Sequence, residues 1–198
     1  MVVATHSAAP RAPAKGRILT CADKLFYEDG IRTVGVDRLI AASSVTKATF
    51  YKHYRAKDNL IVEYITNRHH TVRDSIEAII AAAPDAATTL RQLVQAAVTE
   101  IGTPEFRGCP FINAAAEFAD PAHPVRQVVT MHREWYIDRI TELLRAAGHP
   151  VPGDAADEFL LARDGAFSGG YAGDPIAASA AMSRVANRVL DDVAINER

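Results

Sequence analysis

The stretch over residues 36–60, VDRLIAASSVTKATFYKHYRAKDNL, constrains the fold of this chain more than any other. Its first apolar side chains recur at helical spacing: Val36, Leu39 and Ile40. The hydroxyl of Thr46 can then cap a second helix by accepting backbone N–H groups that would otherwise lack a partner. In that second helix Phe50 and Tyr54 lie four positions apart, so both can pack on the first helix. The stretch therefore predicts two short helices joined by a turn, which is a helix-turn-helix.

The outward face of the second helix suits double-stranded DNA. Lys47 and Thr49 can reach base edges in the major groove, because lysine suits guanine O6 and N7 and the threonine methyl suits thymine. Ala48 between them keeps that face shallow. The other DNA-binding candidates, most of them phosphate contacts, are Thr46, Tyr51, Lys52, His53, Lys57 and, on the first helix, Arg38. Two alternatives stay open: Tyr51 could mainly pack, and His53 could cap or pack within the domain.

The chain around this stretch also resembles the N-terminal pattern of TetR-type bacterial repressors. That pattern is a Phe then a Gly, V-x-x-I-A, A-G-V-S, G-T-x-Y-x-H-F and K-x-x-L. The matching residues are Phe26, Gly30, Val36, Leu39, Val45, Thr46, Ala48, Thr49, Tyr51, His53, Tyr54, Lys57 and Leu60. Tyr51 and Lys57 match positions that usually touch the DNA backbone. The chain departs at Ile40, where the family usually has Ala, and at Ser43-Ser44, where it has Ala-Gly. Loss of the turn glycine would cost up to about 1 kcal/mol if that residue has a positive φ.

The resemblance implies a one-component transcriptional regulator, a repressor rather than an activator. It implies a homodimer in which the last two long helices of each subunit pair, and a C-terminal domain that encloses a small-molecule cavity. In such a dimer, the DNA-contacting helices of the two subunits would lie one helical turn of DNA apart, or a multiple of it, and would recognise a near-palindromic operator. Ligand binding would spread or reorient the fourth helix and so change that spacing.

Helical periodicity continues along the whole chain, and no segment alternates for long with period two. We therefore predict an all-α fold of about nine helices. Helices one to four are predicted to begin near residues 15, 36, 47 and 56, and helix five to end near residue 101. Helices six to nine are predicted to span residues 112–118, 125–147, 154–172 and 175–193. The predicted domains are a disordered basic arm (1–14), a helix-turn-helix DNA-binding domain (15–60, its helix four continuing to about 82), and a ligand-binding and dimerisation domain (61–198).

Charge is distributed unevenly between the two predicted domains. Residues 1–73 carry 12 Lys and Arg against 6 Asp and Glu, a net of +6, whereas residues 74–198 carry 10 against 18, a net of −8. A basic N-terminal domain suits binding to DNA phosphates, and an acidic C-terminal domain would be repelled by them. Chance segregation of solvated charges is the alternative. Within the basic end, Arg11, Lys15 and Arg17 could also follow the phosphate backbone.

The remaining sequence features argue against several other classes of protein. No apolar run approaches the roughly 18 residues of a membrane span, and the first residues do not form a signal peptide. Cys21 and Cys109 do not make a disulfide framework, which favours reduced thiols and a cytoplasmic location. His69 and His70 are adjacent on a helix and point about 100° apart, so a shared metal ion is not expected. We also expect no cofactor.

The C-terminal domain carries the ligand-binding candidates. The run RGCPFINAAAEF resembles the ligand-domain pattern of one TetR subgroup. A few polar groups among apolar side chains are typical of a binding pocket, and the candidates are Tyr64, Phe111, Asn113, Glu117, Met131, Trp135, Phe167 and Tyr171. Each of them could instead belong to a plain helical core. Glu117, if buried, would need a cationic partner such as Arg133 or Arg139, or a cationic or hydroxylated ligand.

Small residues on the last two helices predict a dimer interface. Helix nine has one apolar stripe for the core of the monomer and a second, small-residue face that permits close approach of another helix. The candidates for the interface are Gly165, Gly169, Ala177, Ala180, Ala181 and Arg184. The alternative is that these residues only pack the monomer.

Two other functions compete with regulation. An enzyme could use Cys109 as nucleophile with His123 or His132 as base, but no nucleophile signature surrounds that cysteine. An architectural protein would bind DNA without sequence preference, and an excess of bulk DNA would then remove it from any defined site.

Overall fold

The computed structural model describes residues 12–195, and over this range the chain has nine helices and no strand. The helices are α1 (Ala14–Asp29), α2 (Val36–Ser43), α3 (Lys47–Tyr54), α4 (Lys57–Ala82), α5 (Ala86–Ile101), α6 (Pro110–Glu117), α7 (Pro124–Ala146), α8 (Pro152–Ala172) and α9 (Pro175–Ile195). The prediction of an all-α fold with about nine helices is confirmed for the described part. Residues 1–11 of the predicted arm lie outside the described residues, and Ala14 at its end already belongs to α1.

Proline and acidic caps set several helix boundaries. Pro110, Pro124 and Pro152 each occupy the first turn of a helix, where a missing N–H costs nothing and the fixed φ favours the helix. The sequence prediction places these three starts one or two residues too late, because it treats proline as the end of a loop. Asp85 caps α5 by accepting the Thr88 N–H at 2.7 Å.

The chain divides into two compact units, Met1–Tyr64 (the N-terminal unit) and Ile65–Arg198 (the C-terminal unit). The division falls within α4, one helical turn after Leu60, where the sequence places the end of the DNA-binding domain. Tyr64 belongs to the N-terminal unit because its ring packs edge-on against Phe26, with the ring centroids 5.4 Å apart.

The N-terminal unit is built on a small apolar core. Ile18 and Phe26 of α1, Leu39 of α2, and Phe50 and Tyr54 of α3 are each at most 2% exposed. The four-residue spacing of Phe50 and Tyr54 thus places both on the inner face of α3, as their pattern predicts. Burying side chains of this size stabilises the unit by about 1.5–3 kcal/mol each.

The turn between α2 and α3 has a left-handed residue that is not glycine. Ser44 lies at φ 51°, ψ 51°, at the position where the resembled pattern has Gly. Arg17 holds this turn: its Nε donates to the Ser43 carbonyl at 3.2 Å and its Nη2 to the Ser44 carbonyl at 3.3 Å. Arg17 is therefore engaged within the fold, in contrast to the suggestion that it follows the DNA backbone. Lys15 likewise forms an ion pair with Glu63 at 2.9 Å.

The C-terminal unit packs α5 to α9 around a second core. Helix α8 lies along α9 and also contacts α5 and α7. Gly170 of α8 is buried and closely packed, because a Cβ there would lie 2.7 Å from Ile101 Cγ2 and would force a neighbour to move. The apolar stripe of α9 faces this core, with Met182, Val189 and Val193 buried.

Candidate nucleic-acid interface and internal cavity

Helix α3 has one apolar face that is buried and one polar face that is exposed to solvent. Six of the predicted DNA-binding residues on α3 and its cap are exposed: Thr46, Lys47, Ala48, Tyr51, Lys52 and His53. Thr49 is half-buried. Two lysines and several hydroxyl or ring donors therefore share one accessible surface, which suits contacts to both base edges and phosphates. We call these seven residues the recognition face.

The start of the recognition face is fixed by a cap. The Thr46 hydroxyl accepts the Thr49 N–H at 3.1 Å, and the two threonine hydroxyl oxygens lie 2.9 Å apart. Satisfying a free N–H in this way stabilises a helix by about 1 kcal/mol. The cap that the sequence predicts is thus present, and it sets the direction in which Lys47 and Thr49 leave the helix.

Tyr51 combines packing with exposure. Its ring lies edge-on to Phe50 with centroids 5.4 Å apart, yet the residue remains 40% exposed. The two interpretations of Tyr51 are therefore compatible, because one part of the side chain supports α3 while the other stays accessible to a partner.

Two predicted phosphate contacts have partners inside the N-terminal unit. The Lys57 ammonium donates to the Ile31 carbonyl at 2.6 Å and lies 5.7 Å from the centre of the Phe26 ring. Arg38 forms an ion pair with Asp29 at 2.7 Å. In this arrangement Lys57 stabilises the connection between α1 and α2, and Arg38 is ion-paired with Asp29, so we do not include either residue in the recognition face.

The C-terminal unit contains a cavity of about 270 Å³ between α4, α5, α6, α7 and α8. Most of its wall is apolar. The lining consists of Arg68, Thr71, Val72, Ser75, Ile76, Ile79, Leu93, Ala96, Ala97, Glu100, Pro110, Phe111, Tyr136, Arg163 and Phe167. Apolar walls with a few convergent polar groups are typical of small-molecule sites.

Arg163 is the most constrained polar group of the cavity wall. It is buried, and its guanidinium carbon lies 4.2 Å from the centre of the Phe167 ring and 5.0 Å from that of Tyr136. Its Nη1 lies 3.3 Å from Asp164 Oδ1. Burial alone would lower the pKa of Arg163, but Tyr136, Cys109 and Asp164 outweigh it and raise that pKa, so the side chain stays cationic. Burial chiefly raises the pKa of the Tyr136 hydroxyl, which keeps it neutral.

Glu100 brings a carboxyl group to the same cavity. Loss of hydration raises the pKa of this carboxyl, and the charges of Arg163 and Arg68 partly oppose the shift. The residue nevertheless keeps an exposed surface. The carboxyl is thus more easily protonated than an ordinary glutamate.

A buried histidine pair lies beside the cavity wall. The Nδ1 atoms of His69 and His132 are 3.2 Å apart, so one ring donates and the other accepts. His132 also stacks on Phe111 with ring centroids 3.5 Å apart. Burial is the main cause that lowers the pKa of His132 to about 3 and also lowers the pKa of His69. No third His, Cys, Asp or Glu completes a metal-binding group with them in the described residues.

Two of the eight predicted ligand-binding residues, Phe111 and Phe167, line the cavity. The other six are Tyr64, Asn113, Glu117, Met131, Trp135 and Tyr171. Tyr64 is buried in the N-terminal unit, and Met131 and Tyr171 are 43% and 46% exposed. The Asn113 amide donates to the Arg107 carbonyl at 2.8 Å. Trp135 packs edge-on against His69. None of these six residues is part of the cavity lining.

Sequence reasoning missed the charged and phenolic groups of the cavity: Arg68, Glu100, Tyr136 and Arg163. One signal was available, since Arg68 interrupts the apolar stripe of α4, where Ile76 and Ile79 also face the cavity. A charged residue within an apolar stripe is often functional or paired, because its burial is costly otherwise. Arg163 carries the same signal, since it lies on the buried stripe of α8 between Leu160 and Phe167.

The residues considered for catalysis have structural roles. Cys109 is buried at the start of α6, with its Sγ 3.9 Å from Arg163 Nη1. His123 caps α7 by accepting the Val125 N–H at 3.2 Å. His132 is engaged by His69 as described above. The geometry therefore gives Cys109 no base at hydrogen-bond distance among these two histidines.

The predicted dimer residues lie on the outer surface of the C-terminal unit. Gly165, Gly169, Ala177, Ala180, Ala181 and Arg184 are all exposed. Most of them line a shallow cleft of about 450 Å³ between α8 and α9, together with Leu161, which is 70% exposed. An added Cβ at Gly165 would meet no atom within 4 Å. Unlike Gly170, this glycine is not required by packing within one subunit.

Comparison with known proteins gives matches in both units. Residues 18–64 match the family model described as bacterial regulatory proteins, tetR family, and residues 86–150 match the model described as tetracyclin repressor-like, C-terminal domain. A TetR-family transcriptional regulator from Streptomyces coelicolor, SCO4454, is 39% identical, with a TM-score of 0.87 over 91% of this chain and 95% of that one.

Two more distant relatives also match the chain. The regulatory protein TetR from Rhodobacter sphaeroides shares the fold, with 20% identity and a TM-score of 0.78 over 89% of this chain and 98% of that one. The HTH-type transcriptional regulator LmrA from Bacillus subtilis is 24% identical over 125 residues, which span 62% of this chain and 66% of LmrA, just under two thirds of its length. None of the described helices is both long and apolar enough to span a membrane.

Proposed function

The chain belongs to the TetR family of bacterial regulatory proteins, a DNA-binding family of transcriptional regulators, and from this premise we propose that it represses transcription at a near-palindromic operator and is released by a small molecule. The observation that carries the proposal is the recognition face of α3, which is polar and exposed over a fully apolar inner face. The family's regulators are non-enzymatic and act as dimers on DNA operators.

The recognition face would read the major groove. Lys47 and Thr49 would contact base edges, and the flanking Thr46, Tyr51, Lys52 and His53 would contact phosphates. Phosphate contacts make the affinity steeply dependent on salt, because each one releases condensed counterions. One such face covers only a few base pairs, so two copies are needed for a specific site.

A homodimer would supply the second copy. The exposed small residues of α8 and α9 support close packing against the same helices of another subunit, and the uncovered Leu161 would gain burial there. An interface of this kind is self-complementary, as two-fold symmetry requires. The two recognition faces would then be related by the same two-fold axis as the two halves of a palindrome.

Helix α4 supports a route from ligand to DNA. Its residues from Arg68 to Ile79 line the cavity, and its residues up to Tyr64 belong to the N-terminal unit. A ligand that favours one position of α4 would change the separation of the two recognition faces. The loss of operator affinity would equal the difference in the ligand's binding free energy between the two conformations.

The proposal is tested by selecting genomic fragments that the purified full-length protein binds, and then competing the best fragment with bulk DNA. We expect a fragment with an inverted repeat that stays bound in the presence of a hundredfold excess of bulk DNA. Complete displacement by bulk DNA would instead indicate an architectural protein without sequence preference. The genes beside the fragment would then suggest compounds to test as the releasing ligand.

The coupling is tested separately with any compound that calorimetry shows to bind the cavity. Adding it at saturation should weaken operator affinity by about tenfold or more, within the usual range of allosteric coupling. Unchanged operator affinity with a saturated cavity would refute release by that compound, while leaving DNA recognition intact.

A further inference from the structure

The charged groups of the cavity wall already face groups of opposite charge. Arg163 pairs with Asp164, with its Nη1 3.3 Å from Oδ1. Both Arg163 and Arg68 also act on the Glu100 carboxyl, and their charges favour its ionised form. A ligand with a charge of its own would have to break one of these arrangements or bring an unmatched ion into a largely apolar space, and both are costly. The wall therefore favours an uncharged ligand.

One polar group of the wall has no hydrogen-bond partner of its own. Tyr136 is only 6% exposed, and its hydroxyl takes part in no hydrogen bond within the described part of the chain. Its oxygen is absent from the few unpartnered polar atoms that lie sealed within those residues, so it borders open space. Tyr136 lines the cavity and also a second space beside Cys109, but this second space measures only about 10 Å³. A ligand would therefore meet the hydroxyl from the cavity.

The Tyr136 hydroxyl is a hydrogen-bond donor toward that space. Burial is the main cause that raises the pKa of Tyr136, so the phenol keeps its proton at neutral pH and can donate it to a ligand. The other two hydroxyls of the lining, those of Thr71 and Ser75, donate to carbonyls of their own helix, at 3.1 Å to Asn67 and 2.9 Å to Thr71. Among the hydroxyls of the described lining, Tyr136 is thus the one whose proton remains available.

We propose that the cavity binds a small uncharged carbonyl compound, such as a ketone or an ester, whose oxygen accepts a hydrogen bond from the Tyr136 hydroxyl. A carbonyl oxygen only accepts, so it brings no polar hydrogen that an apolar wall would leave without a partner. The volume of about 270 Å³ is near the lower end of small-molecule sites, which limits the ligand to one short apolar group. This group lies against the aliphatic part of the lining, Val72, Ile76, Ile79 and Leu93. The ligand class rests on the proposed function only in that this compound would be the releasing ligand.

The experiment uses matched probes that have nearly the same shape and differ in charge. Binding of 4-phenylbutan-2-one, 3-phenylpropanoate and 4-phenylbutan-2-amine to the full-length protein is measured by calorimetry at pH 7 without DNA. The series is repeated with 5-phenylpentan-2-one, 4-phenylbutanoate and 5-phenylpentan-2-amine, each of which is one carbon longer. We expect the ketone of at least one series to bind at least about tenfold more tightly than its acid and its amine. Equal or tighter binding of the acid or the amine in both series, or no ketone binding at millimolar concentration in either, would overturn the proposal.

Variants locate the hydrogen bond. Tyr136→Phe removes the hydroxyl and keeps the ring beside the Arg163 guanidinium, and it should weaken ketone binding by about fivefold or more. Tyr171→Phe is the matched control, because Tyr171 is 46% exposed and does not line the cavity. This control should leave the ketone affinity unchanged. A ketone affinity that Tyr136→Phe leaves unchanged would contradict the proposed site.

The stability of the same variant is a second readout. Because the Tyr136 hydroxyl has no hydrogen-bond partner within the described residues, its removal should not lower the midpoint of thermal unfolding in the absence of ligand. A clear fall of the midpoint would show that the fold itself uses this hydroxyl, and it would overturn the assignment of the hydroxyl to a ligand.

An operator assay separates the ligand class from the proposed function. If a ketone binds with the predicted pattern but leaves operator affinity unchanged, the ligand class stands and the releasing role fails. If a charged compound releases the operator and the ketones do not bind, the releasing role stands and the ligand class fails.

Discussion

The two units of this protein build their candidate sites in opposite ways. The recognition face of the N-terminal unit comes from one short helix and its cap, within residues 46–53. The cavity of the C-terminal unit collects side chains from five helices, from Arg68 to Phe167. A surface made from one helix follows from local periodicity, whereas a cavity made from many helices depends on how they pack. The two sites should therefore respond differently to substitution.

The largest effect is expected on the outer face of α8 in the C-terminal unit, because the proposed role of this face is to contact a second subunit. Gly165→Arg places a long side chain where one subunit has open space, so the monomer should fold normally. We expect the dissociation constant of the dimer to rise by at least about a hundredfold, since an overpacked contact costs several kcal/mol across a two-fold interface. Analytical ultracentrifugation at micromolar concentration measures this change.

Gly153→Arg is the control for that substitution, because Gly153 is exposed at the start of α8 and a Cβ there also meets no neighbouring atom. It should leave the oligomeric state unchanged. If both variants sediment like the wild type, the outer face of α8 is not the dimer interface.

The buried histidine pair should make the stability of the C-terminal unit depend on pH. Because the folded-state pKa of His132 is lowered to about 3, the unfolded chain binds more protons below the ordinary value of about 6.5. The stabilising contribution is thus complete above about pH 6.5 and is lost as the pH falls toward 3. Between pH 7 and pH 5, His132→Phe should lose about 2 kcal/mol less unfolding free energy than the wild type.

Urea unfolding at the two pH values measures this difference at equal protein concentration. The phenyl ring keeps the stacking on Phe111, so the comparison concerns the change with pH and not the stability at one pH. The same loss in both proteins would show that His132 does not titrate as its surroundings indicate.

Substitution in the turn between α2 and α3 should change the free energy of unfolding by a smaller amount, and glycine at residue 44 should raise it. Ser44→Gly should stabilise the protein by up to about 1 kcal/mol, because glycine adopts the left-handed φ of 51° without strain. Ser43→Gly is the matched control. It should destabilise by about 1 kcal/mol, since Ser43 is helical and its buried hydroxyl donates to the Leu39 carbonyl at 2.6 Å. Chemical unfolding of both variants should give opposite signs, and equal signs would contradict the observed turn geometry.

These contrasts explain how far the sequence alone could reach. Phe50 and Tyr54 were predictable as core, and Thr46 as a cap, because each depends on neighbours within four residues. Arg17 and Lys57 were not predictable, since each donates to a carbonyl 26 positions away. Long flexible side chains find partners that no local period reveals.

In the C-terminal unit, local sequence patterns predict the side-chain contacts even less well. Periodicity marked the inner faces of the helices but could not tell which inner residues meet a cavity and which meet each other. Phe111 and Phe167 were predicted because large apolar residues serve both roles. Arg163 was missed, although it interrupts the apolar stripe of α8, because two of the groups around its guanidinium, Tyr136 and Cys109, come from other parts of the chain.

The central claim, that the N-terminal unit recognises DNA and the C-terminal unit does not, is tested most directly by operator affinity in four proteins at one salt concentration. They are the wild type, Lys47→Ala with Tyr51→Phe, Lys24→Ala, and Arg68→Gln. The double variant keeps the packing of residue 51 on Phe50, and Lys24 is an exposed α1 lysine outside the recognition face.

We predict that the double variant loses about a hundredfold or more in affinity, because each subunit loses a base contact and a phosphate contact. Lys24→Ala and Arg68→Gln should stay within about threefold of the wild type when no ligand is present. Equal affinity of the double variant and the wild type, or an equal loss in Arg68→Gln, would contradict the account.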